Sequence, residues 1–256
     1  MKIVNAGVHR MEDGPAVSLD TQFVAGETIY IGFQLEGYRV APDQKVHLSY
    51  KIDAFDPKGT KIVESVDSSV DAGLSPEDKN WKPKVHLAIL IPDIAPPGKY
   101  RIDIRAIDDL DRDTASQDIP FSVSGREVPS SPALSVANFG FYRSEEDATP
   151  LKTAAYRPGE ALWAKFDMVG YKFGERNSVN VSYDVAVLSS NGKTLYSQQE
   201  AAVEKSFSFY PKPYIPGTMN LKLQPNTRTG EYTILLTVHD LVGPQDYATK
   251  QAFRVE

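Results

Sequence analysis

The chain repeats itself, and the repeat limits the folds open to it more than any other feature. Asn5, Gly7 and Arg10 return as Asn138, Gly140 and Arg143. At the same spacing Gly26-Glu27 returns as Gly159-Glu160, Phe33 as Phe166, Gly37-Tyr38 as Gly170-Tyr171, Ser49-Tyr50 as Ser182-Tyr183 and Gly59 as Gly192. One residue is then lost, after which Gly98-Lys-Tyr100 matches Gly230-Glu-Tyr232, and Phe121 and Val123 match Phe253 and Val255. A match that runs this far is a duplicated domain, not a short solenoid unit. The expected domains are residues 1–124 and 134–256. Residues 125–133, rich in Pro, Ser and Gly, are the expected linker, and the prolines make it semi-rigid.

Each copy alternates apolar with other residues at period two, as in Tyr100, Ile102, Ile104, Ala106 and in Tyr232, Ile234, Leu236, Val238. That is the pattern of half-buried β-strands. In the first copy the strands are expected near Ile3 to His9, Thr28 to Leu35, Lys45 to Phe55, Lys61 to Val66, Lys84 to Ile91, Lys99 to Asp108 and Ser116 to Val123. Turn signals separate them: Asp56-Pro-Lys-Gly59 in one copy and Asn191-Gly192 in the other. No stretch has helical periodicity. The expected class is all-β, with two tandem sandwich domains.

A Gly-x-Tyr entering an alternating strand resembles the tyrosine corner of immunoglobulin-like sandwiches, in which a Tyr at the start of strand F bonds back to upstream backbone. With the strand count and domain length, both halves resemble immunoglobulin-like or fibronectin type III-like modules found in tandem in bacterial exported and surface proteins. The Cys pair and buried Trp of antibody domains are missing. The resemblance implies a binding, spacer or adhesion role outside the cytoplasm, periplasmic or secreted. Met1-Lys-Ile-Val-Asn5 leads directly toward a strand and has no signal-peptide pattern, so an export signal is expected to be absent from the sequence at hand. A cytoplasmic location stays open, because a chain without cysteine fits either compartment.

With 256 residues there is enough chain for two cores. No apolar run approaches the roughly 20 residues of a membrane-spanning helix. A net charge of −6 without runs of Lys or Arg argues against nucleic acid as a partner. Zero cysteines exclude disulfides and thiolate chemistry. The four histidines are scattered, and no hydrolase, phosphate-binding or dinucleotide motif occurs. The expectation is a monomeric, non-catalytic module without a cofactor that binds a protein or carbohydrate. A structural spacer in a larger envelope assembly is the alternative, and a calcium-binding adhesion module the third reading.

Three sets of residues are candidates for function. Asp109, Asp111 and Asp113 alternate on one hairpin tip, as carboxylates on a calcium loop do; the plainer reading is a solvated turn, since Asp suits turn geometry. Trp163 falls on the outward phase of its strand, as Tyr30 does in the first copy, and could stack on a sugar, pack against a neighbouring domain or form a cross-strand pair. The copies diverge most at Asp71 to Pro83, which holds Trp81, and at Ser206 to Gly217, which holds Phe207, Phe209, Tyr210 and Tyr214 among three prolines. Tyr210 and Tyr214 are expected either to form an exposed binding patch with Trp163 nearby or to cap the open edge of the sandwich.

Overall fold

Alternating residues become strands because one phase of each can be buried at once. In a computed structural model, which describes every residue except Pro76 and Lys79, Ile29, Ile31, Phe33 and Leu35 are buried along one face of the strand Thr28–Glu36. Leu162, Ala164, Phe166 and Met168 do the same along Ala161–Val169. Contacts divide the chain into two units, Met1–Glu127 and Val128–Glu256.

The first unit contains β1 (Lys2–His9), β2 (Gln22–Val24), β3 (Thr28–Glu36), β4 (Lys45–Phe55), β5 (Val66–Gly73), β6 (Lys84–Leu90), β7 (Gly98–Asp108) and β8 (Thr114–Ser124). They form a sheet ordered β1-β3-β6 and a sheet ordered β2-β8-β7-β4-β5. The second unit contains β9 (Ser135–Tyr142), β10 (Ala155–Tyr156), β11 (Ala161–Val169), β12 (Val179–Ser189), β13 (Thr194–Ser206), β14 (Ile215–Lys222), β15 (Gly230–Asp240) and β16 (Gln245–Val255). Its sheets are β9-β11-β14 and β10-β16-β15-β12-β13, the same order strand for strand. Neighbours are antiparallel except β2 with β8 and β10 with β16. In each unit a three-stranded and a five-stranded sheet enclose one core, an immunoglobulin-like sandwich. Across the core Phe33 meets Tyr50 edge-on at 5.8 Å between ring centroids, and Phe166 meets Tyr183 at 5.1 Å.

Residues that recur between the copies sit where the backbone is left-handed. Asn5 and Asn138 (φ 52 and 50) form the bulge at which β1 and β9 shift register against their neighbours. Gly170, at φ +75, has room only because it lacks Cβ, which would lie 2.0 Å from the Ala133 carbonyl oxygen. The Gly-x-Tyr strands form the expected corners: the Tyr100 hydroxyl donates to Pro96 O at 2.6 Å, and that of Tyr232 to Arg228 O at 2.7 Å. Tyr100 is buried, and burial together with the Asp56 carboxylate pushes its phenol pKa up; Tyr232 is half-buried.

One expected strand is displaced. Lys61 to Val66 gives only an isolated bridge between Phe55 and Lys61, and the strand lies further on, over Val66–Gly73. Ile62 is buried without belonging to a strand, held by its N–H to Ala54 O at 2.9 Å. Among the described residues no helix is long and apolar enough to cross a membrane.

Candidate functional site

Three loops meet at one end of the second sandwich: residues 170–178 between β11 and β12, 207–214 between β13 and β14, and 241–244 between β15 and β16. They are tied by hydrogen bonds to groups that would otherwise be unpaired. Asp240, at 1% exposure, closes β15 and turns its carboxylate inward. Oδ1 accepts from Val242 N and Gly243 N, both at 3.0 Å, and Oδ2 from Lys172 N at 2.8 Å and Gln245 Nε2 at 3.3 Å. A buried carboxylate is stable only when so supplied with donors.

The first loop is fastened to the second as well. The Tyr171 hydroxyl donates to Lys212 O at 2.6 Å, and burial, with Glu204 and Asp240 nearby, pushes that phenol up. Asn177, left-handed at φ 55, reaches Ser208 O at 3.2 Å and Phe209 O at 2.6 Å with its amide. Lys212 pairs with Glu204 and donates to Ser206 Oγ at 2.9 Å.

On these fixed loops large apolar side chains face solvent: Phe207 is 72% exposed, Leu241 58%, Phe209 47% and Phe173 42%. Phe173 leans edge-on against Tyr171, 5.5 Å between centroids. Large apolar side chains held out in solvent on fixed loops mark a candidate contact surface.

Tyr210, Tyr214 and Trp163 do not come together as one exposed patch. Tyr210 is buried at 7% exposure and does not face solvent, and Tyr214 is half-buried beside β14. Trp163 lies near the far end of β11, between Tyr142 on β9 and Asn220 on β14 in register, a cross-strand position away from the loops. The rings exposed in the proline-rich segment are Phe207 and Phe209. Phe173 and Leu241 stand outside any sequence reading above. The signal for their loops was the pairing of Gly37-Tyr38 with Gly170-Tyr171 and of Asp108 with Asp240 in the repeat.

The first sandwich anchors the same end with the equivalent tyrosine and aspartate. Tyr38 OH donates to Trp81 O at 2.6 Å, and buried Asp108 accepts from Arg39 N at 2.6 Å and Leu110 N at 3.0 Å. Trp81 is 37% exposed beside a groove of about 730 Å³ shared with Tyr38, Val40, Asn80 and the Lys82–Glu36 ion pair, which is 2.5 Å long. The segment Asp71 to Pro83 includes Pro76 and Lys79, which lie outside the described residues.

The three candidate calcium carboxylates are engaged within this hairpin and its surroundings. Asp109 accepts from Ser49 Oγ at 2.5 Å and lies 3.8 Å from Arg112; Asp111 accepts from Asp113 N at 2.9 Å. Asp113 accepts from Thr114 N at 2.9 Å and pairs with the Met1 ammonium, whose hydrogen bond and charge hold the carboxyl below its usual range. Among the described residues no three His, Cys, Asp or Glu side chains converge as a metal site.

No family model matches the chain, and no curated protein matches it. Among solved structures it is similar to the C-terminal domain of the Streptococcus pyogenes antigen I/II-family protein AspA, at 8% identity and TM-score 0.34, covering 98% of both chains. It is also similar to the C-terminal domain of the Streptococcus agalactiae AgI/II polypeptide BspA, at 8% identity and TM-score 0.31, covering 100% of this chain and 99% of that one. The fold assignment rests on the strand order of the chain itself.

Proposed function

We propose that this chain is a non-catalytic binding module acting outside the cytoplasm, and that its second sandwich takes a protein partner on the loop end. One observation carries the reading: Phe207, Phe209, Phe173 and Leu241 face solvent from three loops that buried hydrogen bonds hold in place. Burying one such side chain is worth about 1.5–3 kcal/mol, which the free protein forgoes. Loops already fixed by Asp240, Tyr171 and Asn177 lose little entropy on binding. The location outside the cytoplasm follows from the resemblance to tandem modules of exported proteins. A carbohydrate reading attaches to the first sandwich, where Trp81 sits in a groove with polar neighbours.

Site-specific photo-crosslinking tests the proposal. A crosslinker placed at Phe209 should capture one discrete protein from the surface of the source cells, and one at Lys99, on β7 of the first sandwich, should capture none. Equal capture at both positions, or capture at neither, would leave the spacer reading in its place.

A further inference from the structure

The edge strand β5 has the regularity to accept another strand. It ends the five-stranded sheet of the first unit and pairs with β4 from Lys45–Gly73 to Ile52–Val66 without a register shift. Its counterpart β13 breaks its ladder, with a shift opposite Tyr183 to Val185 and Glu200 held at φ 46, a bulge of the kind that protects edges. β5 contains neither a bulge, nor proline, nor lysine.

The direction of its free backbone groups follows from the bonds made by β4. His47 O accepts from Asp109 N at 3.0 Å, on the β7 side, while Gln44 O accepts from Leu74 N at 2.7 Å and Ala54 O from Ile62 N at 2.9 Å, on the β5 side. Even-numbered β4 residues therefore bond to β5, through Val66, Ser68, Val70 and Ala72. The N–H and C=O groups of Asp67, Ser69 and Asp71 then point away from the sheet.

The side chains specify what would lie there. Asp67 and Asp71 stand exposed on the outer face, their side chains 67% and 58% accessible even while Lys51 and His47 pair with them. On the inner face Val66, Val70 and Ala72 are only half-buried, whereas Val46, Leu48, Ile52 and Ala54 on β4 are at most 2% exposed. We propose that β5 is a docking edge for an extended polypeptide segment that carries Lys or Arg at two positions four residues apart, with apolar residues at the alternate positions between and flanking them. Backbone bonds would form to Asp67, Ser69 and Asp71, the two cations would face the two carboxylates, and the apolar residues would complete the cover over Val66, Val70 and Ala72. This surface is separate from the loop end of the second sandwich and does not depend on its role.

The probes are two peptides, TVKVTVKVT and TVEVTVEVT, titrated into the full chain and followed through backbone amide NMR signals. The lysine peptide should shift the amides of Asp67, Ser69 and Asp71 and bind about tenfold more tightly than the glutamate peptide. Ser69→Pro removes an outward N–H without touching the β4 ladder, so it should abolish binding while leaving the melting temperature unchanged. Asp67→Lys with Asp71→Lys should reverse the preference. The proposal is overturned if neither peptide shifts these amides, if both bind equally, if Ser69→Pro binds as the parent does, or if the same amides shift with protein concentration alone, which would assign the edge to a second copy.

Discussion

Asp240→Ala removes the acceptor that joins two of the three loops at the end of the second sandwich. Four donors lose their partner: Lys172 N, Val242 N, Gly243 N and Gln245 Nε2. A hydrogen bond to a charged group contributes about 1.5–3 kcal/mol, but bonds to one carboxylate are not additive, and donors in loops regain water when the loop opens. Val242 and Gly243 are half-buried and Lys172 is exposed, so the cost should be about 3 kcal/mol, well below the simple sum. In a unit of this size that lowers the melting temperature by roughly 10 °C. Asp108→Ala, which strands Arg39 N and Leu110 N, should cost the first unit about 2 kcal/mol. Calorimetry on the full chain gives the size of both effects, and hydrogen exchange gives their place. In Asp240→Ala, protection should fall across residues 170–178 and 241–244. A loss below about 1 kcal/mol, or protection lost evenly over the second unit, would refute the view that this carboxylate fixes the loop end.

Two further outcomes follow from burial and charge. Tyr100→Phe leaves Pro96 O without its donor beneath a buried ring and should cost about 1–2 kcal/mol; Tyr232→Phe, at a half-buried corner where water can reach Arg228 O, should cost less than about 1 kcal/mol, and domain-resolved hydrogen exchange reads the difference. At His239 burial alone would lower the pKa, but the hydrogen bonds its ring donates to Asp246 at 2.7 Å and Asp184 at 3.3 Å outweigh it and hold the pKa above its usual value. The stabilisation is therefore full below about pH 6.5, the unfolded value, and is lost as pH rises through the folded one. The second unit should melt lower at pH 8 than at pH 6, and His239→Ile, which places there the residue that Ile107 supplies in the first copy, should flatten that slope.

The strands with both faces defined are legible in the sequence, because burial enforces alternation along β3, β4, β7 and their counterparts. Lys61 to Val66 misleads because Ile62 is apolar for a different reason: it plugs the core from a turn, while the edge strand Val66–Gly73 needs few β-forming residues, one face and one edge being open to solvent. β2 and β10 are too short for any period to register. At the loop end the limits are sharper. Period-two reasoning fails among Pro211, Pro213 and Pro216, so nothing in the order of residues tells that Tyr210 faces in while Phe207 and Phe209 face out. Nothing local to Asp108 or Asp240 distinguishes them from acids of a solvated turn. Their recurrence at matched positions was the available sign that a buried backbone partner, and not solvent, holds them.

Partner binding by Phe207→Ser with Phe209→Ser tests the loop end most directly. Both side chains are exposed, so the double variant should melt within about 1 °C of the parent. The account expects this variant to lose at least about a hundredfold in affinity for the protein captured from Phe209, while Trp81→Ser in the first sandwich retains it. Undiminished affinity in the double variant, at an unchanged melting temperature, would contradict it.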